Sequence, residues 1–138
     1  MPIRDSDYIA LAEIRFHIRS FLNFSEAAAR EVGLEPKQHQ LLLAVRGLPE
    51  GEAPTIRRIA ERLHIHHNSA VELVRRSVEN RLVVKRAAPN DRRAVHLAVT
   101  RRGEQLLEKL SKSHVTELRA MAPVLIEALG RLVAEGAS

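Results

Sequence analysis

The sequence predicts a mainly α-helical protein with one small β-hairpin, an α+β fold in a single domain. Its 138 residues suffice for one domain with a buried core. Aromatic residues make up 3% of the chain and apolar residues 45%, so Leu, Val, Ile and Ala must build the core, which favours helices. Apolar residues follow a helical spacing along most of the chain, and only residues 82–99 contain the period of two that is typical of strands.

The first predicted helix spans residues 5–31 and is apolar on two sides. One seam follows a 3-4-3-4 spacing and contains Leu11, Ile14, Ile18, Phe21, Ser25, Ala28 and Val32. A second stripe contains Ala12, Phe16, Leu22 and Phe24. A helix this long needs more covering than a small domain provides, so we expect it to pack against a second copy of the chain.

Two shorter helices are predicted next. Gly33 ends the first helix, and Pro36 begins a second over residues 36–47, because the first helical position needs no N–H donor. After a loop rich in turn residues, Thr55 is the expected N-cap of a third helix over residues 56–63. The predicted core side chains of these two helices are Leu41, Leu42, Val45, Ile56, Ile59, Ala60 and Leu63.

A fourth helix is predicted to follow the segment 64–69 and to end near residue 80. Its predicted core face contains Ala70, Leu73, Val74 and Val78. Its predicted outward face contains Glu72, Arg75, Arg76 and Glu79. Residues 82–88 and 93–99 then read as two strands joined by a turn over residues 89–92, which together make a projecting hairpin.

Helices complete the chain. Thr100 is the expected N-cap of a long fifth helix that ends at about residue 121. Pro123 is expected to open a sixth helix, since proline is favoured at the first helical position. The sequence therefore predicts six helices and one hairpin.

Composition excludes several classes of protein. No apolar run approaches the roughly 20 residues that a membrane-spanning helix needs, and the N-terminal segment does not read as a secretory signal. The chain has no cysteine, which excludes disulfides, thiol redox sensing and cysteine metal sites. No phosphate-binding glycine loop, nucleophile elbow or zinc-protease helix occurs, so we expect no enzyme and no cofactor. A bacterial-type cytoplasm is the expected location.

The positive charge of the chain is concentrated in one block. Residues 55–102 contain twelve Arg and Lys against four Asp and Glu, a local net charge of +8, whereas the whole chain carries +5. The remaining residues therefore carry −3. Such charge segregation is typical of a surface that meets phosphate groups.

The order helix, turn, helix and basic hairpin predicts a winged helix-turn-helix that binds double-stranded DNA. Its second helix would place N-terminal residues at base edges in the major groove, and Asn68 is the expected reader because a carboxamide bonds adenine at two points. Arg75 and Arg76 are expected to hold phosphates, while Glu72 either accepts from a cytosine amino group or moderates the local charge. The other candidates at this end are His66, His67 and Ser69.

The basic hairpin, which we call the wing, supplies further candidate DNA contacts. They are Lys85, Arg86, Arg92 and Arg93. A long cation at the tip of the wing can enter the minor groove, where narrow A·T-rich stretches concentrate negative potential. Asp91 is expected to order the turn or to pair with a neighbouring arginine.

Four segments resemble the MarR family of bacterial regulators. They are Leu-Glu-Pro-Lys-Gln at 34–38, Thr-Ile-Arg-Arg-Ile-Ala-Glu-Arg-Leu at 55–63, Pro-Asn-Asp-Arg-Arg at 89–93 and Leu-Ala-Val-Thr-Arg-Arg-Gly at 97–103. The resemblance implies a ligand-responsive transcriptional repressor that binds a pseudo-palindromic operator as a homodimer. It further implies that residues 1–33 and 104–138 form dimerisation helices and that residues 34–103 form the DNA-binding part.

The resemblance also bears on individual residues. It implies that Arg92 or Arg93 reaches the minor groove. Arg81 stands where the family usually has a glycine, so the bend after the fourth helix must be made without one. The turn before that helix, residues 64–67, is unusually rich in histidine.

A ligand pocket between the dimer helices and the DNA-reading part is implied by the same resemblance. Its candidate lining residues are Arg15, Phe16, His17, Arg19, His39 and His114. Basic groups beside a phenylalanine suit a small anionic aromatic ligand. Packing in the core is the alternative explanation for Phe16.

Two other functions stay open on the sequence alone. His17, His39 and His114 are candidates for a metal or anion sensor, whereas His64, His66 and His67 have no carboxylate or cysteine close in sequence to complete a zinc site. A winged helix used only for protein association is the other alternative, and its basic face would then need an acidic partner.

Overall fold

A computed structural model describes residues 2–136 and contains, over that range, five helices and one antiparallel hairpin. The helices are α1 (Asp5–Glu31), α2 (Pro36–Arg46), α3 (Ile56–Leu63), α4 (His67–Glu79) and α5 (Arg101–Gly136). The strands are β1 (Val83–Ala88) and β2 (Asp91–Val99). The predicted fold class is confirmed: the protein is mainly α with a small β-hairpin in the order of a winged helix-turn-helix.

The chain divides into two compact units, which are described separately below. The first unit contains residues up to 28 and from 111 onward, and so holds most of α1 and the C-terminal two thirds of α5. The second unit, residues 29–110, contains α2, α3, α4 and the hairpin. The helix-turn-helix and the wing therefore lie in one unit.

The second unit has an aliphatic core, as the low aromatic content predicts. Its large fully buried aliphatic side chains are Leu34, Leu41, Leu42, Ile59, Leu73, Val74, Leu82 and Val83. They come from α2 and the connection before it, from α3 and α4, and from the start of the hairpin with the residue before it, so one core fixes the helix-turn-helix and the base of the wing together. The wing is held further by a bond from the Leu97 N–H to the Pro54 carbonyl, 2.8 Å.

Local sequence signals account for the helix starts. The Thr55 hydroxyl accepts a hydrogen bond from the Arg58 N–H at 3.1 Å, which confirms its capping role at α3. At α2, Pro36 occupies the first turn, and the Gln38 side chain accepts from the Glu35 N–H at 3.2 Å. Gly33, with φ of +80°, ends α1 in a left-handed conformation that glycine adopts without strain.

The junction between α4, the wing and α5 is closed by Thr100. Its hydroxyl accepts from the Gly103 N–H at 3.0 Å, which confirms the predicted cap of α5, and donates to the Arg81 carbonyl at 2.7 Å. Arg81 has φ of +57°, so the bend after α4 is left-handed although no glycine is present. The threonine bond helps to hold this unfavourable conformation.

The predicted break at residues 121–123 is wrong. A single helix, α5, runs from Arg101 to Gly136 with Pro123 inside it, and there is no separate sixth helix in the part of the chain described. Proline inside a helix removes one backbone hydrogen bond and costs roughly 3 kcal/mol, which favourable neighbours can offset. The residues on either side are mostly strong helix formers, Ala, Leu, Met and Glu, so the helix continues.

The predicted core face of α4 is shifted by one residue at its end. Val78 is 37% exposed, and Ser77 is fully buried instead. Ser77 lies four residues after Leu73 and three after Val74, so it faces the core between them, and its hydroxyl donates to the Leu73 carbonyl at 2.8 Å. A serine that satisfies its own hydroxyl can occupy a core position that hydrophobicity alone assigns to the valine.

The wing also differs slightly from its prediction. Ala88 pairs with Asp91, so the turn consists of Pro89 and Asn90 and β2 begins two residues earlier than expected. Val95, on β2, is 42% exposed because the outer half of a two-stranded hairpin has no second layer to cover it.

Candidate nucleic-acid interface

The turn of the helix-turn-helix is built by histidines. His64 caps α3 in a left-handed conformation, φ +54°, and its N–H bonds the carbonyls of Ala60 and Glu61. His66 has an extended backbone at the N-cap of α4, and its carbonyl accepts from the Ala70 N–H at 3.0 Å. The chain therefore makes the change of direction between α3 and α4 without glycine, by the same backbone conformation that it uses at Arg81.

The N-terminal end of α4 presents the predicted base-reading residues to solvent. His67, Asn68 and Ser69 form the first turn and are exposed. Within the described chain, the side chains of Asn68 and Ser69 have no hydrogen-bond partner. A carboxamide and a hydroxyl at this position are thus available to the edge of a base pair.

Further along α4 the two arginines are held by carboxylates. Arg75 donates to both oxygens of Glu72, at 2.9 and 2.5 Å, and to Glu79 at 2.7 Å. Arg76 donates to Glu35, at the start of α2, at 3.2 Å. Hydrogen bonding from Arg75 holds the pKa of Glu72 below its ordinary value, so Glu72 is ionised at neutral pH.

The cations of the wing are placed differently. Lys85 lies opposite Leu97 and Arg86 opposite His96 in the hairpin, and Arg92 and Arg93 lie at its tip. All four side chains are exposed, and none forms an ion pair with a carboxylate of residues 2–136. The Asp91 side chain accepts from the Arg93 N–H at 2.9 Å, which confirms its expected role in ordering the turn.

A carboxylate network also ties the loop before α3 to that helix. Arg58 donates to Glu61 at 2.9 Å and, through two nitrogens, to both oxygens of Glu52, with Nε to Oε2 at 2.8 Å. Hydrogen bonding from Arg58 lowers the pKa of Glu52. This fork-to-fork pair fixes the approach to α3, the helix that braces α4.

The candidate ligand residues belong to two different units. Arg15, Phe16 and Arg19 are exposed on α1, and Phe16 is 59% exposed, so it is not part of the core of the chain described here. The Phe16 ring contacts the His17 ring edge-on at 5.2 Å, and His17 Nε2 lies 3.4 Å from a Glu13 oxygen. His39 is buried on α2, in the second unit.

His114 has partners in the first unit that the sequence analysis did not assign to it. Its ring contacts Phe21 and Phe24 edge-on, at centroid distances of 5.6 and 5.4 Å, and its Nε2 lies 2.7 Å from the Ser25 hydroxyl. Phe21 and Ser25 belong to the predicted seam of α1, which could have indicated the partner face. His114 is therefore packed between two aromatic rings and lies within hydrogen-bond distance of a hydroxyl group.

The described residues contain neither a cluster that could hold a metal ion nor a helix that could cross a membrane. No three His, Cys, Asp or Glu side chains among them lie close enough together to hold a metal ion. None of their helices combines the length and the apolar character that crossing a bilayer requires.

The helix-turn-helix with its basic hairpin defines a winged-helix protein. A sequence model of the MarR family matches residues 32–94, which span α2, α3, α4, β1 and the tip of the wing. This match and the shared fold confirm the resemblance to the MarR family that the sequence motifs indicated. No curated protein sequence matches the chain significantly.

Solved structures, among them a MarR family regulator, share the fold. AbsC, a MarR family transcriptional regulator from Streptomyces coelicolor, has a TM-score of 0.72 at 19% identity and covers 99% of this chain and 97% of its own. A MepR variant from S. aureus bound to an oligodeoxyribonucleotide has a TM-score of 0.65 at 15% identity, covering 89% and 88%. CouR from Rhodococcus jostii, bound to p-coumaroyl-CoA, has a TM-score of 0.68 at 19% identity, covering 86% and 81%.

Proposed function

We propose that this chain is a non-enzymatic transcriptional regulator that binds a pseudo-palindromic DNA operator as a homodimer in the bacterial cytoplasm. The observation that carries the proposal is the placement, in one unit, of an exposed reading end on α4 and a wing whose four cations have no carboxylate partner among the described residues. Unpaired cations on a projecting hairpin suit a polyanion, and a helix end with free polar side chains suits base edges. The DNA-bound MepR variant shows this fold engaged with DNA in another protein.

The proposed DNA contacts divide by chemistry. Asn68, with His66, His67 and Ser69, reads the major groove, and the wing tip, Arg92 and Arg93, enters the minor groove. The proposed phosphate contacts are Lys85, Arg86, Arg75 and Arg76. Of these, Arg75 and Arg76 must exchange carboxylate partners for phosphates, whereas the two wing cations need not.

Homodimerisation is proposed through the terminal helices, residues 1–33 and 104–138. Large apolar side chains are exposed along α1 and the C-terminal part of α5 in the first unit, among them Ile9, Leu11, Phe16, Leu22, Val124, Ile126, Leu129 and Val133. A single chain that leaves so many apolar side chains in water favours association that buries them.

Repression with ligand release is the proposed mode of regulation. A bound dimer at a promoter blocks polymerase, and a small anionic aromatic ligand would lower its affinity for the operator. The basis in this chain is the group of Arg15, Arg19 and exposed Phe16 on α1, with His17 and His114 in the same unit. CouR, which has the same fold, is bound to p-coumaroyl-CoA.

Duplex binding as a function of salt tests the proposal. The wild-type chain should bind a random-sequence duplex, and its affinity should fall steeply as salt rises. Replacing both wing-tip residues, Arg92→Ala with Arg93→Ala, should weaken binding to every duplex and flatten the salt slope by about 1–2 units. The control, Arg4→Ala with Arg119→Ala, removes the same charge from exposed positions of the first unit and should change the slope little. Absence of duplex binding even at low salt would overturn the proposal in favour of a protein-association module.

A further inference from the structure

The outward face of α4 carries no net charge, in contrast to the rest of the basic block. Its charged residues are two arginines, Arg75 and Arg76, and two glutamates, Glu72 and Glu79. The wing, by comparison, presents four exposed cations without an ion pair to any described carboxylate. The helix that would lie deepest in the DNA is therefore the element least attracted to phosphates in general.

Arg75 is the centre of this neutralisation. Glu72 and Glu79 lie three residues before and four residues after it, so the helix itself places both carboxylates on the side of the arginine. Three of the five guanidinium N–H donors bond carboxylate oxygens, two to Glu72 and one to Glu79. Arg76 is held mainly by Glu35, whose carboxylate lies 3.2 Å from its guanidinium. Glu72 lies farther from Arg76, at 3.9 Å, and so pairs chiefly with Arg75.

Such pairs weaken sequence-independent binding more than they affect stability. Exposed helix ion pairs contribute little to folding. A phosphate that takes Arg75 from Glu72, however, leaves an unpaired carboxylate close to the DNA backbone. A cation that is already neutralised also adds less to counterion release, the term that drives binding to any duplex.

We propose that Glu72, supported by Glu79, is a specificity-determining residue that withholds Arg75 from phosphates on random DNA. The inference rests on the proposed DNA-binding function. On DNA of random sequence, α4 contributes little attraction to phosphates, and the wing supplies most of the affinity. On the operator, base contacts made by Asn68 and its neighbours hold α4 in the major groove. There Arg75 either exchanges its carboxylate partner for a phosphate or keeps its pair with Glu72, and neither outcome costs much affinity.

Two duplexes provide the measurement. One is a random duplex of about 24 base pairs, slightly more than two helical turns, and the other is selected by the wild-type chain from a randomised pool. Glu72→Gln should strengthen binding to the random duplex by about three- to tenfold at low salt and steepen its salt slope by about 0.9 for each reading helix engaged. Affinity for the selected duplex should rise less, so the ratio of the two affinities should fall.

Two controls separate the release of Arg75 from Glu72 from the general effect of removing one negative charge. Glu50→Gln removes the same charge from an exposed loop residue of the same unit that has no ion pair within the described chain. Its effect should be smaller and equal on both duplexes. In an Arg75→Gln background, Glu72→Gln should lose its excess effect, because the released group is then absent. Glu79→Gln provides a second, independent release of Arg75.

The possible results distinguish the two proposals. If Glu72→Gln behaves as Glu50→Gln does, or if its effect persists without Arg75, the specificity role is overturned while duplex binding by the wild-type chain leaves the regulator proposal standing. If the wild-type chain binds no duplex at low salt, both proposals fail.

Discussion

Gly103 lies at the start of α5, where the helix approaches the strand base most closely. A Cβ added there would lie 2.4 Å from the Leu82 carbonyl oxygen and 2.8 Å from a Val99 methyl group. We expect Gly103→Ala to lower the free energy of unfolding by about 1–3 kcal/mol, because a backbone carbonyl cannot move aside easily. Urea denaturation at matched protein concentration measures the change.

Gly130 gives the matched control for this substitution, because it lies in the same helix with nothing within 4 Å of an added Cβ. Gly130→Ala should raise the free energy of unfolding by about 0.5–1 kcal/mol, the ordinary gain from alanine in a helix. If Gly103→Ala is equally stabilising, the close packing at residue 103 is not as described.

Asn68 is expected to determine which DNA sequence is preferred and to add little to the affinity for DNA in general. Asn68→Ala should cost about 1–3 kcal/mol of binding free energy on the selected duplex and little on a random one, since its carboxamide would bond a base edge. Fluorescence anisotropy on both duplexes measures the difference, and Asn23→Ala, an exposed position on α1, is the control. Equal losses on the two duplexes would remove Asn68 from base reading.

Sequence reasoning at the level of residues succeeded where the signal is local. Caps such as Thr55 and Thr100 bond a backbone N–H three residues ahead, so type and position alone identify them. It did not assign Phe24 to His114, because these residues are far apart in the sequence. It also placed Val78 inside instead of Ser77, because hydropathy does not register a hydroxyl that bonds its own helix.

At the scale of elements, the Glu52–Arg58 pair connects the preceding loop to α3. Arg58 lowers the pKa of Glu52 below its ordinary 4.5 in the folded state, so the unfolded chain binds the proton more readily. The stabilisation is therefore fully present above pH 4.5 and is lost as the pH falls through the folded pKa. Glu52→Gln should destabilise the protein at neutral pH and progressively less below pH 4.5.

Chemical denaturation of both proteins across this pH range provides the test. Glu50→Gln, two residues away in the same loop, has no ion pair to lose in the described range and should not show the trend. A difference between wild-type and Glu52→Gln that stays constant on acidification would contradict the assigned role of the pair.

The sequence predicts the element boundaries well except at Pro123, at the wing turn and at the start of α4, which begins at His67 inside the segment 64–69 that was expected to precede it. α1 and α3 have the expected limits because glycine and threonine mark them. The sequence predicts a helix start at Pro123 because it cannot show whether a proline opens one helix or interrupts another. The good helix formers around Pro123 favour one continuous helix, α5. In the wing, Asp91 joins the strand because pairing with Ala88 tightens the turn.

At the scale of the whole molecule, two-fold assembly determines whether two reading helices can meet one duplex. Exposed apolar side chains of the first unit provide the proposed contact, and Ile126 and Val133 are 66% and 73% exposed. Ile126→Glu with Val133→Glu should shift the chain from dimer to monomer and weaken operator binding at low protein concentration. Sedimentation velocity measures the mass against a chain of 15.5 kDa.

Leu43, an apolar side chain of the second unit that is 51% exposed, supplies the control for that experiment. Leu43→Glu should leave the dimer intact. A wild-type chain that sediments as a monomer at micromolar concentration would contradict the proposed assembly.

Charge segregation was predictable at this scale because it depends on sequence alone, whereas dimer contacts depend on a surface that only folding defines.

The exposed wing tip has a further consequence for handling the protein. Arg92 and Arg93 are adjacent trypsin sites on a two-stranded hairpin that can open locally without disturbing the buried core. The earliest tryptic nick in the free protein is therefore expected after Arg92 or Arg93, at the start of β2. If the wing enters the minor groove, bound duplex should protect the peptide bonds after these two arginines from trypsin. The nicked protein should keep its helical content but lose most of its affinity for DNA.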